Sequence, residues 1–241
     1  MSIQILDIYQ GNKFDADFEK NTGTDAVLIK GGQGEYQDYF IAKCNHVDEC
    51  VRVGLPWGIF WQMDARHSPE KHKAALKIFH DKRGFGQLGL WLACEKPFYP
   101  CPNLLYNRMP YAFYKPIESV WRGMIDYTGQ TPGIYTSPAM WELIFGRCPI
   151  ALEYEIASKS KLWAAQYGVK EPDKIGFWSS YWFWQYTSEP DYSVFAGDEA
   201  GFQNIYQPGQ QPAPAEDPHA DNSETRIQIL DEAINAIEAI K

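Results

Sequence analysis

The chain contains no apolar run approaching the ~20 residues of a membrane-spanning helix, so nothing in it calls for a bilayer. It also lacks basic clusters. Its 22 Lys and Arg are outnumbered by 31 Asp and Glu, for a formal net charge of −9. A nucleic-acid or anionic-membrane partner is therefore not expected. The opening MSIQILDIYQG has neither the basic n-region nor the apolar h-region of a secretory signal, which implies synthesis in a cytoplasm. The five cysteines (Cys44, Cys50, Cys94, Cys101 and Cys148) are odd in number and match no zinc spacing. Cys44 and Cys50 share a predicted helix at a separation that forbids pairing, so reduced thiols are expected. The glycines of KGGQGEY lack the G-x-G-x-x-G spacing of a phosphate loop. No Ser/His/Asp set is legible, and His46, His67, His72, His80 and His219 all fall away from strand ends. Metal or histidine-nucleophile chemistry is not expected, and no cofactor is implied.

What the chain has in quantity is aromatic surface: 15% of residues, including 9 Trp and 15 Tyr. Aromatic faces both fill cores and stack on sugar rings; composition alone favours packing. Strand-like and helix-like segments alternate along residues 1–206. Apolar strands are expected at 3–7, 26–29, 57–61, 88–92, 133–135, 162–166 and 182–186. Helices are expected around 36–53, where Phe40, Cys44, Val47 and Val51 follow a 4-3-4 spacing. Others open at Ser68-Pro69 and Ser137-Pro138, each a serine cap followed by proline at the first helical position, and near residue 116. Repeated strand–helix units predict a mostly parallel sheet, and this length favours an irregularly closing β/α (TIM-like) barrel.

Near residue 207 the composition changes. Residues 207–222 are proline-rich and read as an extended linker. Residues 223–241 form a short amphipathic helix in which Ile227, Leu230, Ile234 and Ile237 make a coiled-coil seam. A helix this short is marginal alone. It is expected either to associate with other copies, making a homo-oligomer, or to dock onto its own barrel.

In a parallel barrel the site lies at the C-terminal strand ends. The polar residues there are Asp7, Lys30, Gln33, Gln62, Asp64, Glu95, Tyr135, Gln166, Tyr167, Gln185 and Tyr186, with Asp198 in the closing segment. Carboxylates set among aromatics and amides suit a sugar polymer. Glu95, in GLWLACEKP, stands just past a buried strand, where an apolar surround would raise its pKa and suit it to general-acid work.

These segments also resemble, in order, the motifs of glycoside hydrolase family 25, the Chalaropsis-type lysozymes. LDIYQGNKFD is similar to the family's D-[IV]-S-x-Y-Q-G, and AVLIKGGQGEYQDYF to F-x-I-I-K-A-T-E-G. GLPWGIFW is similar to G-L-x-V-G-x-Y-H, PGIYTSPAMW to P-x-I-Y-T-S-x-x-x-W, and LWAAQYG to L-W-I-A-x-Y. WFWQYTS and GDEAGF follow, similar to W-Q-Y-[TS] and D-x-N-x-F. The resemblance spans residues 3–206. It implies an irregular β/α barrel with an acidic groove that cleaves the β-1,4 bond between N-acetylmuramic acid and N-acetylglucosamine in peptidoglycan. Many members are phage endolysins, made without a signal peptide and released to the wall.

Carried over by position, Glu95 is the expected proton donor and Asp7 the first family acid. Asp198 is matched to the late acid, with Asp191 nearby. Tyr9, Gln33, Trp61, Asp64, Tyr135, Gln166, Tyr167 and Gln185 are expected to line the substrate groove. The pattern departs at Ala93, where the family's D-x-E has its aspartate. Gln33 replaces a common Glu, and Trp61 a common His. Asp64 or Asp198 is the candidate substitute for the lost charge. Ala93 leaves two readings: a working muramidase, or a peptidoglycan-binding protein that has lost catalysis.

Overall fold

The computed structural model describes residues 2–9, 12–35, 38–64, 66–95, 114–188 and 190–205, except for the side chains of 38–44 and 205. The proline-rich segment 207–222 and the helix expected at 223–241 lie outside these residues. β1 (Gln4–Ile8), β2 (Ala26–Gln33), β3 (Trp57–Gln62), β4 (Leu90–Ala93), β5 (Gly133–Thr136), β6 (Leu162–Ala165), β7 (Phe183–Gln185) and β8 (Tyr192–Phe195) close into a barrel in chain order. The expected irregular β/α barrel is what the chain forms.

Its irregularity has a definite place. β1 to β7 run parallel, whereas β8 is antiparallel to both neighbours, with Leu6 opposite Tyr192 and Gln185 opposite Ser193. β7 and β8 are thus joined by a short connection at the mouth of the barrel, and β8 carries the chain to the other end.

Helices α1 (Ala16–Thr22), α2 (Asp38–Val53), α3 (Pro69–Arg83), α4 (Tyr114–Thr128), α5 (Pro138–Phe145) and α6 (Ile150–Lys159) accompany the strands. The Ser68 and Ser137 side chains cap α3 and α5 as their sequences predict, accepting from Lys71 N and Met140 N. α2 corrects one seam: Val47 and Cys50 are buried, whereas Val51 is 62% exposed. Cys50 and Val51 are successive residues that point roughly 100° apart, so the buried face lies on the Cys50 side of Val47 and away from Val51; the side chains of Phe40 and Cys44 lie outside the described residues. α1 and α6 carry weaker sequence signals. α1 depends on Asp15 accepting from Phe18 N and on Gly23, at φ 102°, ending it.

Pleating divides the strands' apolar residues into two layers. Outward residues such as Val27, Ile29, Ile59, Leu92 and Ile134 pack under the helices. Inward residues Ile5, Leu28, Trp91, Trp163 and Phe183 fill the barrel. The Trp91 ring lies over β5 so closely that a Cβ at position 133 would sit 2.3 Å from it, which explains Gly133. At the far end a further helix, α7 (Glu199–Ile205), sets Phe202 into the barrel floor, 2% exposed and 5.3 Å from the Phe195 ring. Truncating this plug leaves a cavity. Phe202→Ala is expected to lower the unfolding free energy by about 3–5 kcal/mol, measured by urea denaturation; an unchanged midpoint would mean that α7 is not part of the core.

Candidate active site

The inward pleat of each strand ends in a polar group at the mouth. After Ile5 comes Asp7; after Leu28, Lys30; after Trp91 and Ala93, Glu95. Tyr135 stands one residue before the end of β5, Tyr167 follows β6, and Gln185 ends β7. The floor beneath is aromatic, with Tyr135 and Trp163 rings 4.3 Å apart and Trp91 and Phe183 rings 4.9 Å apart. This floor removes water from one side of every polar group above it.

Desolvation raises the Glu95 carboxyl above the ordinary glutamate range. Asp191 adds repulsion, while Lys30 and the Tyr135 hydroxyl oppose the rise. Burial also holds Asp7 well above its usual value, and repulsion from Asp191 is the next cause. Two carboxyls this close favour sharing one proton. Gln185 orients Asp7: its Nε2 donates to Asp7 Oδ2 at 2.7 Å, and its Oε1 accepts from Tyr135 and Tyr167 hydroxyls at 2.6 and 2.7 Å. Two donors on the oxygen leave the amide nitrogen only one way to face. Tyr135 has a single proton, which it gives to Gln185.

Several expected residues have other duties. Asp198 is exposed and lies past β8, at the floor end; its Oδ1 caps α7 by accepting from Gly201 N. The strand-end rule assumes a parallel strand, and β8 runs the other way, so its N-terminal acid, Asp191, is the one at the mouth. Asp191 O accepts from Asp7 N at 3.0 Å. The family's D-x-N-x-F then falls on residues 191–195, with Ser193 at the Asn position. Trp61 points outward and is 1% exposed; its Nε1 donates to His72 Nδ1 at 3.3 Å beneath α3. Gln166 also points outward and exchanges hydrogen bonds with Asp173 backbone and side chain, each 2.7 Å.

Asp64, a candidate substitute for the missing acid, is tied to other partners. Burial works against its ionisation, but hydrogen bonds from Arg66 (Nε, 2.9 Å) and from Gln33 Nε2 (3.0 Å) outweigh it and hold the carboxyl well below the usual range. Gln33 is thereby tied to Asp64 as well. Beside them Glu35 pairs with Lys71 and His67 at 2.6 and 3.2 Å, a cluster with no sequence motif to announce it. Tyr9 and Tyr167 remain at the rim, each 48% exposed. The groups brought together at the mouth are thus Asp7, Glu95, Asp191, Lys30, Gln62, Tyr135, Tyr167 and Gln185. Among the described residues no cluster of His, Cys, Asp or Glu is placed to hold a metal.

The ionised Asp7 is unfavourable in the fold, because its folded pKa lies above the unfolded value of about 3.9. Stability is therefore gained as pH falls through the folded pKa. Asp7→Asn is expected to be more stable than wild type at pH 7, the difference closing by about pH 4. Thermal melts across that range check it, and a wild type more stable at neutral pH would contradict it.

No protein-family model matches the chain, and no curated protein sequence is significantly similar to it. Solved structures are. A muramidase from Acremonium alcalophilum superposes with a TM-score of 0.69 at 20% identity, covering 85% of this chain and 98% of that one. A family GH25 lysozyme from Aspergillus fumigatus gives 0.67 at 18%, covering 86% and 100%. The CTP1L endolysin gives 0.58 at 15%, covering 84% and 69%. Residues of the barrel therefore carry the fold of the family 25 lysozymes.

Proposed function

We propose that the protein is a peptidoglycan hydrolase of the family 25 type, a muramidase cleaving the β-1,4 bond between N-acetylmuramic acid and N-acetylglucosamine. The observation that carries the reading is the convergence of Glu95, Asp7 and Asp191 at the mouth of a barrel with this fold. Glu95 has the desolvated environment a general acid needs and gives its proton to the leaving oxygen. Asp7, oriented by Gln185 and coupled to Asp191, faces the positive charge that develops on the sugar or positions the acetamido group. Tyr9 and Tyr167 offer aromatic faces to neighbouring sugars.

A second reading is favoured by one specific observation. Position 93 carries no carboxylate, and Asp64 is locked to Arg66. The protein would then bind wall glycan without cleaving it. Release to the wall from a producing cytoplasm, as in a phage endolysin, and association through residues 223–241 belong to the same proposal.

Glu95→Gln should lower reducing-end release from purified peptidoglycan about 10²–10⁴-fold. Wild-type activity should decline as pH rises through the elevated Glu95 pKa. Equal activity in the variant would remove Glu95 from the chemistry. Wall binding by wild type without any release would establish the second reading.

A further inference from the structure

Gln185 joins three groups through one buried amide. Its Nε2 donates to Asp7 Oδ2 at 2.7 Å, and its Oε1 accepts from the Tyr135 hydroxyl at 2.6 Å and from the Tyr167 hydroxyl at 2.7 Å. The terminal torsion of a glutamine is soft, so these bonds, not the side chain itself, decide where the nitrogen faces. The two tyrosines are held differently. Tyr135 is buried, with its ring 4.3 Å from that of Trp163, and packing keeps its hydroxyl in place. Tyr167 lies two residues past the end of β6 and is half exposed. Its backbone is anchored through its neighbour, because Gln166 N donates to Gln185 O at 3.2 Å, but its side chain borders water. Of the two donors on the Gln185 oxygen, Tyr167 is therefore the one within reach of a molecule arriving at the mouth.

We propose that Tyr167 is a positioning residue for Asp7, acting through Gln185, and that a sugar seated on its ring completes the alignment. The second half of this proposal rests on the glycan reading. With Tyr135 alone on its oxygen, the amide is freer to tilt and the bond to Asp7 loosens. The Tyr167 hydroxyl, arriving from a different strand end, holds the amide plane. An exposed side chain exchanges rotamers rapidly, and each excursion of Tyr167 removes that hold. A sugar stacked on its face prevents the excursion. Part of the energy of binding glycan thereby goes into aligning the carboxyl inside. The titratable groups facing Asp7 are Glu95 after β4, Tyr135 from β5, Tyr167 after β6 and Asp191 before β8. Burial and the charges of Asp191 and Glu95 disfavour the ionised carboxyl, whereas donation from Gln185 favours it. Loosening the amide therefore moves the Asp7 titration to higher pH.

Two measurements on the full chain test the proposal, one without glycan and one with it. In the first, the Asp7 carboxyl carbon is followed by NMR across pH, its resonance assigned by its loss in Asp7→Asn. Asp7 should titrate at higher pH in Tyr167→Phe than in wild type, in the same direction as in Gln185→Leu. Tyr154→Phe, a change at an exposed tyrosine on α6, should match wild type. In the second, solubilised peptidoglycan strands are digested. Tyr167→Phe keeps the ring and loses the hydroxyl, so kcat should fall about five- to tenfold with KM held within about twofold. Tyr167→Leu, which loses the ring as well, should also raise KM. In a Gln185→Leu background Tyr167→Phe should cost nothing further. An Asp7 titration unmoved by Tyr167→Phe, or a kcat loss that persists undiminished in the Gln185→Leu background, would overturn the proposal. A moved titration in a protein that cleaves no glycan would leave Tyr167 positioning Asp7 and remove the hydrolase reading, whereas cleavage with an unmoved titration would do the reverse.

Discussion

The backbone hydrogen bond from Asp7 N to Asp191 O, 3.0 Å long, is where the barrel closes, and much of the site depends on it. It forms because β8 runs antiparallel between β7 and β1. An antiparallel closure needs only a short connection after β7, and that connection must lie at the mouth. The closure therefore delivers one acid, Asp191, beside Asp7 and removes another, Asp198, to the floor. The aromatic floor does the rest. Trp91, Trp163 and Phe183 fill the barrel to just below the carboxyls, so each is desolvated from beneath and can be satisfied only sideways. Gln185 and the two tyrosines supply that sideways support. The same surround that raises the Glu95 pKa also disfavours an ionised Asp7. Function and stability pull in opposite directions at this end of the fold.

Much of this was legible in the sequence. The first seven strands announce themselves as short apolar runs, and the serine–proline openings of α3 and α5 fix helix starts through capping. Glu95 and Asp7 followed from the rule that parallel-barrel chemistry gathers at C-terminal strand ends. β8 was not legible. Tyr192–Phe195 is four residues long, and only Ser193 and Val194 next to each other separate its aromatic ends, so no period-2 pattern marks it. Without β8 the direction of the closing segment is unknown, and the choice between Asp191 and Asp198 cannot be made.

The other departures share one cause. Trp61 and Gln166 sit next to inward residues, Gln62 and Tyr167, and strand neighbours point to opposite faces. A one-residue difference in which face is inward exchanges a groove residue for one under a helix. Sequence alternation does not settle this where both faces are apolar, as in a barrel covered by helices. Asp64 illustrates a different limit. Its position after β3 is right for a catalytic acid, but Arg66, two residues on, takes the carboxylate. Whether a charged neighbour in a loop folds back on an acid is a matter of local geometry, not of pattern.

Cleavage of glycan at muramic acid is the proposed activity of this mouth. The most direct measurement is to digest purified peptidoglycan with wild-type protein, reduce the products with borohydride and identify the reduced sugar by mass spectrometry. New reducing ends are expected at N-acetylmuramic acid. Reducing ends at N-acetylglucosamine, or none, would contradict it.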